Sequence, residues 1–384
     1  MVSKRLQVIP ASGTIAISNL VSQMRAEGVD IVSFSMGEPD FTTPDNIVEA
    51  CCDALHEGFT HYTPSLGMPE LRTTVAEMAR VNNDIPCDGS NVLITPCKQA
   101  IFLTALAYID PGDEVILSDP SWVSYEACIR LAGGVPVYVP LKFEEGFVMD
   151  PSLVEAAITP RTKMIILNTP SNPTGTVIPK KVLIEIARIA MEHGIKVLAD
   201  EIYESIVYEG EHVSIASLPD MFENTITVSG LSKSYAMTGW RMGWAIAPAE
   251  DIKNLNKLQS HSISCAVSFA QKASIEALKG PQDSRKAMVE QFKTRRALVL
   301  DLLSEIPGME CNVPNGAFYA FPRYNRDIAS AKLAEILLKE GHVAVTPGSA
   351  FGPGGEGFIR ISYATSEDQI REGMARMKKT IAQL

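Results

Sequence analysis

Short apolar runs alternate with amphipathic stretches through the middle of the chain. From about Asn91 to Ala247 the runs are Val92-Leu-Ile-Thr95, Glu114-Val-Ile-Leu117, Val135-Pro-Val-Tyr-Val139, Met164-Ile-Ile-Leu167, Lys196-Val-Leu-Ala199, Thr225-Ile-Thr-Val228 and Gly243-Trp-Ala-Ile246. Continuous runs of this length predict strands buried on both faces. Between them lie helical periods such as Val182 to Glu192, closed by Gly194. Buried strands alternating with helices predict an α/β layer built on a mostly parallel, seven-stranded sheet. Sheets of this kind bind ligands just beyond the carboxyl ends of their strands.

After Gly280 the texture changes. A charged helical stretch from about Asp283 to Leu303 precedes Gly316-Ala-Phe-Tyr-Ala-Phe321, a helix over Ser330 to Glu340, a Pro/Gly-rich loop and the strand-like Gly357-Phe-Ile-Arg-Ile-Ser362. This predicts a smaller α+β domain. The segment to about Pro44 shows no strand–helix rhythm of its own and could pack on either part. The expected division is a large domain over 45–282, a small domain over 283–384, and an N-terminal segment over 1–44.

Composition sharpens this in a few places. At 384 residues the chain is too long for one small core. A net charge of −11, with no basic run to offset it, argues against a nucleic-acid surface. The seven cysteines are odd in number and show no CxxC pairing, and Cys51 and Cys52 are adjacent. That usage predicts reduced thiols. The N-terminus lacks the apolar core of a signal peptide. The longest apolar stretch, around Ile101 to Ile109, is too short to span a bilayer. A cytoplasmic protein with no membrane partner is expected.

The candidate chemistry centres on Ser229-Gly-Leu-Ser-Lys-Ser-Tyr-Ala-Met-Thr-Gly-Trp-Arg-Met-Gly-Trp244. Lys233 sits there in a turn leaving an apolar strand, among small residues. A lysine that forms and releases a Schiff base needs such a frame, because its amine must face one carbonyl and stay partly neutral. Arg241 adds a permanent planar cation suited to a phosphate. Together they point to a pyridoxal-phosphate site.

Three further positions fall near strand ends, and a fourth, Arg360, lies within the late strand Phe358-Ile-Arg-Ile-Ser362. Asp200 closes the run Lys196-Val-Leu-Ala; it could pair with a pyridinium nitrogen or simply cap a helix. Asn172, in Asn168-Thr-Pro-Ser-Asn-Pro-Thr-Gly175, offers a donor and an acceptor from a rigid loop, which could also be only a structural turn. Trp122 could stack on a flat ring or fill the core. Arg360 could face inward and bind a carboxylate, or point to solvent from the alternate face of its strand. Gly352-Pro-Gly-Gly-Glu-Gly357 matches G-x-G-x-x-G, but it follows no clear strand and precedes a strand rather than a helix. It is not a dinucleotide fingerprint.

With these residues in hand, the chain resembles a fold type I pyridoxal-phosphate aminotransferase of class I, in the branch with bacterial and archaeal aspartate aminotransferases. The resemblance runs the whole length, through Gly37-Glu-Pro-Asp40, His61-Tyr-Thr-Pro64, Pro69-Glu-Leu-Arg72, Asp110-Pro-Gly-Asp-Glu114 and Asn172-Pro-Thr-Gly175. It continues through Asp200-Glu-Ile-Tyr203, Ser232-Lys233, Gly239-Trp-Arg241, Asn315-Gly-Ala-Phe-Tyr319 and Arg360-Ile-Ser362. It implies pyridoxal 5'-phosphate linked to Lys233, which also moves the proton. Asp200 would pair with the ring nitrogen, Tyr203 and Asn172 would bond the ring hydroxyl, and Trp122 would stack on the ring. Arg241, Ser232 and main-chain groups near Cys97 and Lys98 would hold the phosphate. Arg360 would clamp the substrate α-carboxylate with Asn172 and the Gly37 backbone. Tyr62 would reach the phosphate of a neighbouring subunit, implying a homodimer, and the N-terminal arm would join the small domain. No metal is implied.

The chain departs from the family pattern twice. Relatives usually carry glycines before the Lys98 position, whereas here the turn is the shorter Thr95-Pro-Cys-Lys98. Many also carry a serine three residues before the lysine, where this chain has Gly230. Pro96 lacks an N–H, so the phosphate cup must be rebuilt. For substrate, the resemblance links Lys98, with Ser12 and Thr14, to aspartate and glutamate, with 2-oxoglutarate as the oxo acid, while a solvated surface lysine is the alternative at Lys98. Ile9 before Pro10 ranks prephenate lower, and alanine and aromatic substrates stay open. A carbon–sulfur lyase or eliminase on the same scaffold is the alternative, and a non-catalytic ligand sensor a more distant one.

Overall fold

All seven predicted strands form, and they form one sheet. Its order is Val92–Ile94, Gly243–Ile246, Thr225–Gly230, Lys196–Asp200, Thr162–Asn168, Glu114–Asp119 and Val135–Pro140. Gly243–Ile246 runs antiparallel to both of its neighbours, and the other six strands share one direction. The computed structural model describes residues 2–7, 9 and 13–384. Pro10 and Ser12 lie outside the described residues, as does the side chain of Thr14.

Alternation along each strand explains why the runs are apolar throughout. Met164, Ile166 and Leu198 face the helices Cys97–Tyr108, Ser124–Ala132 and Ala249–Ser260. Their neighbours Ile165, Leu167 and Val197 face Lys180–His193 on the other side. Each such side chain, once buried, contributes about 1.5–3 kcal/mol. The expected Lys180–His193 helix ends on Gly194 in the left-handed region, φ 63°. A third cluster packs Asp45–His56, Pro69–Asn83 and Ser268–Lys279 against the sheet edge through Leu71, Val75, Ile94 and Trp244.

Beyond the sheet, Asp283–Ser304, Ser330–Lys339 and Glu367–Ile381 surround a small antiparallel sheet of Tyr319–Ala320, Ile359–Ser362 and Thr346–Pro347. Phe34, Phe292, Phe318, Leu337, Ile361 and Met374 fill its core. Val32–Ser33 joins this part by pairing in parallel with Val343–Ala344. The expectation that the chain before Pro44 carries no rhythm is corrected: Gly13–Ala26 is a 14-residue helix. Ile17, Leu20, Val21 and Met24 form its apolar stripe and pack near Leu338 and Ala344.

The Gly352–Gly357 stretch is two tight turns leading into the Ile359–Ser362 strand. The Gly354 N–H bonds both carboxylate oxygens of Asp119, at 2.9 and 2.8 Å, and a Cβ at Gly352 would lie 2.3 Å from Asp119 Oδ1. These glycines allow the loop to sit on a strand end. All seven cysteines are free. Among the described residues no helix is long and apolar enough to cross a membrane.

Candidate active site

The carboxyl ends of the central strands open into one pocket of about 530 Å³. Register brings the strand ends level, with Asn168 beside Asp200 and Asp200 beside Val228. Asp200 is 4% exposed. Its Oδ2 accepts from the Tyr125 hydroxyl at 2.6 Å and its Oδ1 from the Ile202 N–H at 3.2 Å. Burial pushes its carboxyl up to about 6, and the two hydrogen bonds oppose that rise. The residues after Asp200 form a turn rather than a helix, so Asp200 is not a helix cap.

Lys233 faces Asp200's end of the pocket from the short helix Leu231–Ser234. Its Nζ donates to the Gly37 carbonyl at 2.6 Å. Burial lowers its amine to about 8, with the Glu38 charge pulling the other way. Ser232 lines the same wall. Arg241 does too, with φ 58° and its Nη1 bonded to the Thr238 carbonyl at 2.8 Å. Positive φ is uncommon for a non-glycine residue, and here it aims the Arg241 turn along the pocket wall.

The Asn168–Gly175 loop locks down through side chains. Asn168 Nδ2 donates to the Asp200 carbonyl at 3.0 Å, and the Asn172 N–H donates to Asn168 Oδ1 at 2.8 Å. That leaves Asn172 Oδ1 to accept from Arg360 Nη1 at 3.0 Å. Arg360 is 3% exposed and points inward. Its Nη2 donates to the Ser35 carbonyl at 2.7 Å and to Thr346 Oγ1 at 3.3 Å, while its buried Nε has no partner. Its hydrogen-bond partners among the described residues are an amide, a main-chain carbonyl and a hydroxyl, none of them a carboxylate. A buried cation without a counter-ion is costly, so this guanidinium is suited to an incoming anion.

The helix Cys97–Tyr108 starts at the pocket wall, with Pro96 as its cap residue. Its first N–H groups have no partner within the helix, and they border the pocket near Arg241. The two sequence departures meet here. Cys97 Sγ donates to the Ser229 carbonyl at 3.0 Å. A Cβ at Gly230 would lie 2.7 Å from that sulfur, and one at Gly243 would lie 2.5 Å from it. The cysteine therefore occupies space that exists because both facing positions are glycine. Lys98 lies at the pocket mouth with its Nζ 4.7 Å above the ring of Trp122, which is half-buried and lines the pocket.

Tyr203, 4% exposed, shares a 2.8 Å hydrogen bond with the Tyr319 hydroxyl. Gly37 also lines the pocket. Tyr62 does not: it is 90% exposed and lies outside this wall. Sequence reasoning missed Tyr125, Tyr319, Thr238 and Glu38, which all line the pocket. Glu38 Oε2 accepts from Thr238 at 2.6 Å, tying the Gly37 turn to the Arg241 turn. Tyr125 lies one helical turn beyond Trp122 and Tyr319 ends a quoted motif, so their positions were visible even though their contacts were not.

Comparison with known proteins agrees with this geometry. Residues 29–377 match the family described as aminotransferase class I and II. The chain is 44% identical to the probable aspartate/prephenate aminotransferase of Aquifex aeolicus, over 100% of this chain and 99% of that one. It is 41% identical to the aspartate aminotransferase of Pyrococcus abyssi, covering 99% and 98%. The solved structure of Thermus thermophilus aspartate aminotransferase with maleate matches with a TM-score of 0.95 and 42% identity, covering 99% of each chain.

Proposed function

This chain belongs to the aminotransferase class I and II family, and on that premise we propose that it moves the amino group of L-aspartate to 2-oxoglutarate, using pyridoxal 5'-phosphate held at Lys233. The observation that carries this reading is one pocket holding a buried acid and a buried cation with no opposite charge bonded to either, together with a buried amine bonded to a main-chain carbonyl. Asp200 is an acid held near 6 with no cation bonded to it. Lys233 is an amine held near 8. Arg360 is a cation with no acid paired to it.

These residues fit the cofactor's parts. Asp200 would hold a proton on the ring nitrogen, Tyr203 and Asn172 would bond the ring hydroxyl, and Trp122 would cover a ring face. Arg241, Ser232 and the helix start at Cys97 and Lys98 would hold the phosphate, where N–H groups and the helix dipole favour an anion. The cofactor supplies an electron sink for the substrate's α-carbon. The remaining work belongs to the protein. Arg360 grips the α-carboxylate, with Asn172 and the Gly37 backbone fixing its angle. The Lys233 amine, partly neutral near pH 7 because burial lowers it, would take the α-proton at Nζ and return it two atoms along, beyond the substrate nitrogen. Because one pocket and one carboxylate clamp serve both, the amino acid and the oxo acid are handled in turn.

Aspartate is favoured by Lys98 at the mouth, a second cation for a second carboxylate. The Thermus relative was solved with maleate, itself a dicarboxylate. The free cysteines support a cytoplasmic setting. Tyr62, exposed on its own subunit, supports a homodimer in which Tyr62 of the partner subunit reaches the phosphate.

Loaded protein mixed with L-aspartate alone is expected to lose its visible absorption and release oxaloacetate, and 2-oxoglutarate should restore the band. The same sample should sediment at twice the 41.7 kDa chain mass. Pyruvate and ammonia accumulating without an oxo acid would instead mark a lyase, and a fully active monomer would remove the dimer.

A further inference from the structure

One side chain with no assigned role touches several parts of the pocket at once. Tyr319 is fully buried in the short strand Tyr319–Ala320. That strand pairs antiparallel with Ile359–Ser362, and Tyr319 stands opposite Ser362. Arg360, two residues from Ser362, therefore shares its face of the sheet. The Arg360 guanidinium lies 4.6 Å from the Tyr319 ring centroid and 5.0 Å from that of Phe351. With its Nε unpartnered, the guanidinium is held by two rings and by bonds at Nη1 and Nη2.

The other end of Tyr319 reaches the cofactor side. Its hydroxyl lies 2.8 Å from that of Tyr203, and either oxygen can donate. It also crowds the Gly37 turn, where a Cβ would sit 3.0 Å from the Tyr319 hydroxyl. Gly37 in turn accepts from Lys233. A phenol has one proton to give. For Tyr203 to spend its proton on a ligand oxygen, Tyr319 must become the donor and Tyr203 the acceptor.

We propose that Tyr319 is a positioning residue with two separable roles: its hydroxyl aims the Tyr203 proton at the cofactor, and its ring holds the Arg360 guanidinium in place for the substrate carboxylate. This rests on the cofactor and substrate reading given above. Burial, the largest cause, drives the Tyr203 hydroxyl well above its ordinary range, so it keeps a proton to give. The two roles separate because one depends on an oxygen and the other on an electron-rich face.

Two volume-conserving variants test this. Tyr319→Phe removes the oxygen and keeps the ring. It should raise the dissociation constant of pyridoxal phosphate for stripped protein about three- to tenfold, as for one lost neutral hydrogen bond. It should also shift the pH midpoint of the bound cofactor's visible band and leave the KM for the amino donor unchanged. Pentafluorophenylalanine at the same position reverses the ring's charge pattern. Relative to Phe it should raise that KM by roughly three- to tenfold, since cation–ring attraction is what it removes, with no further change in cofactor affinity. A purely structural role would lower the melting temperature of both variants without splitting these readouts. Loading and pH behaviour of Tyr319→Phe equal to wild type would overturn the hydroxyl role. Equal KM values for the two variants would overturn the ring role. Wild-type protein that takes up no cofactor would instead sink the underlying reading, and this one with it.

Discussion

In protein freed of cofactor, burial holds the Lys233 amine at about 8 and the Asp200 carboxyl at about 6, against ordinary values of 10.5 and 3.8. The two shifts act on stability in separate pH windows. Between about 8 and 10.5 the unfolded chain binds the Lys233 proton more tightly than the folded one, so the Lys233 contribution to stability rises with pH there and is flat below, against the opposite slope of buried thiols such as Cys97 and Cys128. Between 3.8 and about 6 the folded chain holds the Asp200 proton more tightly, so stability falls as pH rises through that range. Lys233→Met should erase the alkaline rise and leave the acid limb; Asp200→Asn should do the reverse. Melting curves of stripped protein from pH 4 to 10.5 check both, and an alkaline slope that survives Lys233→Met would show that another group is responsible. Lys233, Asp200 and Arg241 were legible in the sequence because their chemistry resides in residue type and strand-end position. The contacts of Tyr125 and Tyr319 were not, since residue type and strand position do not tell which side chains a tyrosine hydroxyl will reach across the fold. Which way Arg360 faces depends on its pairing with Thr346 across the small sheet, and the strand's own alternation leaves that open.

At the scale of elements, the central strands were readable because burial on both faces makes each run continuously apolar. The Gly13–Ala26 helix was overlooked although Ile17, Leu20, Val21 and Met24 follow a helical spacing. Besides Val29 and Ile31 just beyond the helix, its partners Leu338 and Ala344 lie more than 300 residues along the chain, so the sequence nearby shows only part of its core. The start of Cys97–Tyr108 is a different case. The shortened turn and Gly230 read as two separate departures, and only the fold shows Cys97 Sγ seated against Gly230 and Gly243. Gly243→Ala should therefore destabilise the protein by about 1–3 kcal/mol, the usual cost of overpacking. Cys97→Ala should relieve part of that cost, leaving the remainder to the Ser229 carbonyl, which would lie 2.8 Å from the new Cβ. Urea unfolding of the two single variants and the double variant measures the coupling. Strictly additive effects would mean that the sulfur does not fill this space.

Over the whole molecule, a chain of net charge −11 gathers Lys98, Lys233, Arg241 and Arg360 around one pocket. The N-terminal segment closes that pocket by bridging two parts of the fold. Gly37 meets Lys233, Glu38 meets Thr238, and Asp40 is gripped by both Nη atoms of Arg295 on the long Asp283–Ser304 helix, at 2.6 and 3.1 Å. The first of these contacts holds the amine of Lys233, which is where the proposed chemistry begins. Loading the stripped protein with pyridoxal phosphate, reducing it with borohydride and mapping the peptides by mass tests that directly. A single stable phosphopyridoxyl adduct on Lys233, absent in Lys233→Met, is the expected result. An adduct spread over surface lysines, or none at all, would contradict the assignment of this pocket.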